Sequence, residues 1–411
     1  MPRLVRLFML ICCCCSALPC PEPAFAAPFT GPQSLVPLQA ALPEPWGVLK
    51  LLLLVTFFIH LVLVNIVLGS SVIALVKSFR KKAGPGFRMK AETSFIPTVL
   101  ALAVNFGVAP YLFMQVLYGS FFFPSTLLMS VWWLAIIGFV MLAYYGLYII
   151  GDKSTSGLRA ARPMLLVIIC LFCAAAFVFS NNSTLMLRPE NWLEWIRQPH
   201  GTLLNTADPT LVPRYLHLLV ASLAVGGLTF ACRARWRRGK PGTGADDAEK
   251  RIRTGLAWFR NSTLLQIPVG FWFFMTLPPE VRQLFLGGSP VAATAFALLA
   301  AGLCISLFFA YTNRVYAATA AAAGLVLVMV GVRDMVRDAM LLPYLDIRYT
   351  PGNGVEQALS SLLLDKGQNG AFALFLICAV LASAVIMVMV RASARSLRES
   401  PKTGLAGQGG E

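Results

Sequence analysis

Acid is the scarcest chemistry in this chain. Of 411 residues only 18 are Asp or Glu, against 34 Lys and Arg, and the charged fraction is 13%. A water-soluble chain carries roughly a quarter of its residues as Asp, Glu, Lys and Arg. With 57% hydrophobic residues and a mean hydropathy of +0.72, the shortage excludes a soluble protein and leaves an all-α polytopic membrane protein. None of the acids falls in the middle of an apolar run. Enzymes that take up protons deep in a membrane need carboxylates or histidines there to relay them, and this chain offers almost none. No C-x-x-C-H occurs, which excludes a covalently attached c-type haem on this chain. Histidine is nearly absent too, with three in all. Half of the ten cysteines (Cys12, Cys13, Cys14, Cys15, Cys20) lie in the first 26 residues. The others, Cys170, Cys173, Cys232, Cys304 and Cys378, lie in or beside apolar runs. Cys170 and Cys173 are one helical turn apart with no second pair nearby, so they read as core packing rather than a metal site.

What is there is apolar length. Residues 1–26 have a basic start (Arg3, Arg6), an apolar run and a small-x-small end at Ala24-Phe25-Ala26, the pattern of a signal peptide. Runs near twenty apolar residues then recur nine times, at about 48–76, 94–120, 126–150, 163–186, 211–232, 257–277, 291–311, 315–333 and 369–390. Backbone groups in lipid must be bonded within their own segment, so each run predicts a helix. A nine-helix transmembrane domain therefore spans residues 27–397, with a disordered cytoplasmic tail at 398–411. The net charge of +16 marks loops rather than a nucleic-acid surface. With the N-terminus outside, 23 of the 34 Lys and Arg fall on inner segments, which fits the positive-inside rule and places both the tail and the C-terminus inside. The expected location is a bacterial inner membrane with a periplasmic N-terminus and the lipid bilayer as surroundings. On the outer side, Asn191-Trp-Leu-Glu-Trp-Ile196 suits a helix lying at headgroup level. A second short helix is expected near Val355 to Leu364.

Two of the three histidines lie inside spans. His60 is about 18 Å deep in the first span and His217 about 9 Å deep in the fifth, at 1.5 Å of rise per residue. Buried ionisable groups in a membrane mark function by default, and neutral imidazole is a good axial ligand for haem iron. The plainer reading is a histidine bonded to a neighbouring serine or carbonyl. At the outer end of the eighth span stands Val332-Arg-Asp-Met-Val-Arg-Asp338, in which Arg333 and Arg337, and Asp334 and Asp338, are each four apart. It reads either as an interfacial charge cluster or as a cap in which arginine reaches haem propionates. The remaining polar residues of the spans, Asn105, Gln115, Ser180, Asn181, Asn182 and Gln266, are each accounted for by helix-to-helix hydrogen bonding. Asn181 and Asn182 suit a helix cap as well as a ligand contact.

Several of these segments are similar to motifs of subunit I of cytochrome bd quinol oxidase. Phe58-Ile-His60-Leu-Val-Leu-Val-Asn-Ile-Val-Leu-Gly69 resembles the first-helix pattern H-F-x-F-V-P-L-T-L-G, whose histidine ligates haem. Asn105-Phe-Gly-Val-Ala through Met114-Gln-Val-Leu-Tyr-Gly119 resembles N-F-x-x-G-V … M-E-F-Q-F-G. Phe179-Ser-Asn-Asn-Ser-Thr-Leu-Met186 with Pro189 resembles A-N-x-W-M-Q-x-P. Tyr215-Leu-His217-Leu-Leu-Val-Ala-Ser222 resembles F-V-H-x-x-x-A-x, whose histidine ligates the low-spin b haem. The likeness covers the first five helices; the last four correspond mainly in topology. It implies a nine-helix bundle holding haem b, with His60 and His217 on iron and Gln115, Asn181, Asp334 and Arg337 at cofactors.

The departures are as informative. The family's low-spin haem takes a methionine from the sixth helix, where Gln266 stands here, with Met275 one to two turns further on. The third helix has none of the family's acids. The quinol loop is reduced to Pro278–Ser289, and the G-R-Q-P-W motif is replaced by Arg333-Asp334-Met-Val-Arg337, in which Asp334 stands for the family's acidic haem ligand. The resemblance thus implies a haem b membrane electron-transfer subunit of a bd-like oxidoreductase complex. It would work with a second membrane subunit or a c-type cytochrome, with quinol as a possible donor. Two alternatives stay open: a divergent terminal oxygen reductase, and a haem-free structural or transport protein that keeps the fold.

Overall fold

The computed structural model describes residues 36–37, 46–79, 92–151, 158–196, 199–239 and 244–344. The expected signal peptide, the ninth span, the helix near 355–364 and the tail lie outside these residues. Among the described residues the chain is helical and contains no strand. Eight long helices follow in order: α1 (Trp46–Phe79), α2 (Ile96–Leu128), α3 (Ser130–Gly151), α4 (Leu158–Met186), α5 (Leu211–Arg237), α6 (Ala245–Met275), α7 (Pro290–Tyr311) and α8 (Val315–Leu341). Seven of them, all but α6, are long and apolar enough to cross a membrane. The chain is a polytopic α-helical membrane protein.

Three helices depart most from their expected bounds. The sixth run was expected at 257–277, but α6 starts at Ala245 and carries Arg260, Asn261, Gln266 and Pro268, so it falls short of the apolarity of the other seven. The second run was expected to stop at 120, yet α2 passes through Pro124 to Leu128. Its backbone leaves helical geometry at Tyr118 (φ −129°, ψ 26°), beside Gly119-Ser120 and ahead of Pro124, the two kinds of sequence that kink helices. The eighth run was expected to end at 333, but α8 continues to Leu341 because its charges pair with one another and with α2.

Two compact units divide the chain. Of the second, the described part is Trp46–Leu53, the first turns of α1, where the Lys50 ammonium lies over the Trp46 ring. The first unit holds the rest of the described helices. Within it, Val67, Ile96, Leu100, Ala143, Leu147, Leu165 and Ile168 form one core shared by α1 to α4. Leu228, Ala231, Ile252, Leu256, Phe259, Ala310 and Ala318 form another, shared by α5 to α8. Large apolar side chains such as Leu134, Leu142, Val167 and Phe308 point away from the protein, as a bilayer allows.

Lipid offers helices little hydrophobic reason to associate, so close packing depends on small residues. A Cβ built on Gly69 of α1 would lie 1.8 Å from the Ser222 carbonyl oxygen of α5. One on Gly227 would lie 2.7 Å from the Gly255 carbonyl oxygen of α6. The adjacent pair Gly226-Gly227 thus lets α5 touch α1 on one side and α6 on the other, backbone to backbone.

Candidate functional site

Each deep histidine rests against a glycine of a neighbouring helix. The His60 ring of α1 lies on Gly107 of α2, where a Cβ would come within 2.8 Å of Cε1. Its Nδ1 is 2.8 Å from the Ala103 carbonyl oxygen. A carbonyl only accepts, so Nδ1 carries the proton and Nε2 keeps its lone pair. A backbone carbonyl that fixes one ring nitrogen in this way is the usual support of a ligating imidazole. Replacing Gly107 by valine is expected to displace the ring and break the bond to Ala103. An interhelical bond of this kind is worth about 0.6 to 2 kcal/mol, so the bundle should persist. The loss is then read in whatever His60 binds, as a drop in bound chromophore at unchanged protein yield.

His217 of α5 sits between α6 and α8. Its Nε2 faces the Met329 sulfur of α8 at 3.3 Å, and Gly270 of α6 lies beside the ring, where a Cβ would be 3.4 Å from Cε1. The His217 Nδ1 is buried and makes no hydrogen bond among the described residues. Leaving such a group unbonded costs about 1–3 kcal/mol. Gln266, one turn before Gly270, donates its amide to the His217 backbone carbonyl at 2.9 Å, and its own oxygen is buried without a partner. It therefore holds the α5 backbone rather than facing the imidazole nitrogens. Met275 is exposed, and its sulfur lies 3.5 Å from the Arg282 guanidinium.

One turn from the imidazoles a layer of arginines and aromatic rings crosses the same helices. Arg214 precedes His217 by three residues, and its guanidinium lies over the Phe273 ring of α6 at 5.1 Å. Arg333 follows Met329 by four and lies over Phe57 of α1 at 4.5 Å. Arg337, one turn further, pairs with Asp334 and lies over the Tyr118 ring at 4.1 Å. It also donates to the Tyr118 hydroxyl at 3.2 Å and approaches the Met114 sulfur at 3.7 Å. Tyr118 in turn donates to Asp338 at 2.6 Å. Asp334 and Arg337, at 7% exposure each, are thus an interior pair rather than an interfacial cluster. Gln115, half-buried, follows Met114 on the same helix.

Asn181 has a different position. Fully buried at the end of α4, its side-chain oxygen accepts the Asn205 backbone N–H at 3.0 Å. Asn205 also bonds Thr184 (3.2 Å) and Asn191 (2.9 Å). Arg188 pairs with Asp208 at 2.7 Å, and Asp208 also accepts from Thr210. These bonds clamp the 187–210 connection, including the 3-10 helix Pro189–Ile196 that stands where an interfacial helix was expected. In this contact set Asn181 serves the connection and has no contact with either histidine.

The structure therefore joins His217 and Gln266, joins Asp334 and Arg337, and links the α1 and α8 ends through Phe57 and Arg333. Sequence reasoning did not single out Met329, Met114, Tyr118, Arg214, Gly107 or Gly270. Their signal was spacing: 329, 333 and 337 share one face of α8, and 214 and 217 share one face of α5.

Among the described residues no three His, Cys, Asp or Glu side chains gather around one point, so a bare metal ion finds no ligand cage there. An iron porphyrin brings its own four nitrogens and asks the protein for one or two more ligands. The donor set has the chemistry that group uses: an imidazole in contact with a thioether, a second imidazole at His60, and guanidinium donors one turn away. No protein-family model matches the chain, and no curated protein sequence matches it.

Proposed function

We propose that this protein is a haem b-binding electron-transfer subunit of a cytochrome bd-like membrane oxidoreductase. The single observation that carries the reading is the His217–Met329 pair, an imidazole and a thioether of different helices brought into contact at 3.3 Å in the protein interior. In this reading the bundle has nine helices, an outside N-terminus and an inside C-terminus in a bacterial inner membrane. It passes electrons between a quinol or an outer-side cytochrome and an acceptor, with a second membrane subunit as partner.

When bound, haem supplies one-electron redox chemistry; the chain supplies position and field. His217 and Met329 would be the residues that hold the iron, an imidazole and thioether set that raises the reduction potential. Gln266 fixes the α5 backbone at His217 by its bond to the carbonyl. Gly270 and Gly107 let each imidazole ring pack against the backbone of the neighbouring helix. His60, with Nδ1 committed to Ala103, would present Nε2 to a second haem. Arg337, paired with Asp334 and Asp338 and bonded to Tyr118, ties α8 to α2 with its charge matched. Both imidazoles are partly buried within the helix packing.

The experiment is a pair of dithionite-reduced spectra, wild type against Met329→Ala. Wild type is expected to show a sharp low-spin α band. The variant is expected to lose the band's low-spin shape while keeping haem, with its midpoint potential moved downward. Identical spectra and potentials in the two proteins would remove Met329 from the iron, and a wild-type preparation without an α band would remove the proposal.

A further inference from the structure

Among the described residues, two of the three arginines in the layer beside the imidazoles have no ion pair. Arg337 has Asp334 and Asp338. Arg214 has neither carboxylate nor hydrogen bond among the described residues, and its Nε and one terminal nitrogen are buried and unbonded. It feels Asp208 only at a distance, and Asp208 is already engaged by Arg188 and Thr210. Arg333 also makes no ion pair or hydrogen bond among the described residues. Its neighbour is the Phe57 ring, and it lies within the electrostatic reach of both Arg214 and Arg337, like charges that repel it.

Aromatic faces return about 0.5–2 kcal/mol to each cation. Removing a guanidinium from water and leaving its donors unbonded costs more than that. Arg214 is such a cation, and Arg333, on the same side of the His217–Met329 contact, adds a second charge without an ion pair among the described residues; together they call for a shared counter-charge with several acceptor oxygens. Carboxylate and phosphate have the planar or tetrahedral oxygens that a guanidinium fork binds in pairs.

We propose that Arg214 and Arg333 together form a binding site for an anionic oxygen group, a carboxylate or a phosphate, on the arginine-bearing side of the His217–Met329 pair. Each arginine is one turn from a member of that pair, Arg214 three residues before His217 and Arg333 four after Met329. The occupant that this placement favours is a carboxylate of the porphyrin, a choice that rests on the haem reading above. The site itself rests on the two unmatched charges and holds without it; the other source of the same chemistry is a phospholipid headgroup.

The experiment compares wild type with Arg214→Met, Arg333→Met and the two Lys variants. Arg188→Gln, whose partner Asp208 lies in the connection, is the control. Three readouts are taken on purified protein: rate of haem loss to apomyoglobin, midpoint potential, and phosphatidylglycerol retained in native mass spectra. With porphyrin carboxylate as occupant, each Met variant loses haem about tenfold faster, the scale of one charge-assisted bond. Its midpoint also falls, since a positive charge near the iron has gone, and the Lys variants recover most of the potential. With a lipid headgroup as occupant, haem behaviour stays constant and bound phosphatidylglycerol falls in the Met variants only; the anion site then stands with the other occupant. Met variants equal to wild type in all three readouts overturn the proposal. A wild type that carries no haem sinks the haem reading alone, and lipid retention then decides the arginine site.

Discussion

Alanine at position 217 is expected to abolish the low-spin α band of the reduced protein while leaving the amount of folded protein close to that of wild type. The two halves of that expectation have separate causes. In the proposed haem site the imidazole is the strong ligand of the pair, and a thioether alone holds iron poorly. Gln266 cannot take its place, because its amide is committed to the residue-217 backbone carbonyl at 2.9 Å, a bond that survives the substitution. Stability should change little, since truncation creates a cavity but also deletes a buried Nδ1 that had no hydrogen bond. The cavity costs about 2–5 kcal/mol for a large side chain, and loss of the unbonded group returns about 1–3. Haem per chain and gel-filtration profile, measured on the same sample, check both halves. His60→Ala is expected to lower haem content independently, because its ring has a separate support in Ala103 and Gly107. Unchanged haem in both variants would remove the histidines from the site.

The second large effect is expected at a residue that touches no ligand. Gly69→Leu should prevent α1 from docking on α5. A Cβ on Gly69 meets the Ser222 carbonyl at 1.8 Å, and one on Gly226 meets the Gly69 carbonyl carbon at 2.5 Å. Overpacking against yielding side chains costs about 1–3 kcal/mol. Here the neighbour is helix backbone, which cannot turn aside, so the cost exceeds that range and the helices must separate. Gly138→Leu is the matched control, because a Cβ there meets nothing within 4 Å. Fluorescence-detected gel filtration in mild detergent should show a monodisperse control and an aggregated or absent Gly69→Leu protein. Wild-type behaviour from Gly69→Leu would mean that α1 and α5 do not touch.

The bundle was largely legible because hydropathy alone marks spans in lipid. The misreadings share one cause: polarity was taken as the end of a helix. Arg333, Asp334, Arg337 and Asp338 lower the hydropathy of the eighth run, yet α8 runs on through them to Leu341, with Arg337 and Asp338 bonded to Tyr118 and Asp334 paired with Arg337. The second run was expected to end at 120, and α2 continues through Pro124 behind the kink at Tyr118. The histidines stood out because so few exist. Met329 did not, since a methionine in an apolar helix looks like filler until the arginines four and eight residues later place it on a polar face. Gly107 and Gly270 carry no pattern of their own; only the imidazole lying against each gives it meaning. Asn181 was legible as a buried amide but not as part of the Asn205 clamp, because its partner lies 24 residues away in an irregular connection.

The most direct test of the haem assignment is the iron and protohaem content of the full chain, purified from haem-replete cells and assayed as its pyridine haemochrome. At least one protohaem with its iron per chain is the predicted result, with a reduced spectrum that depends on His217. A monodisperse preparation that is colourless and free of iron would contradict it.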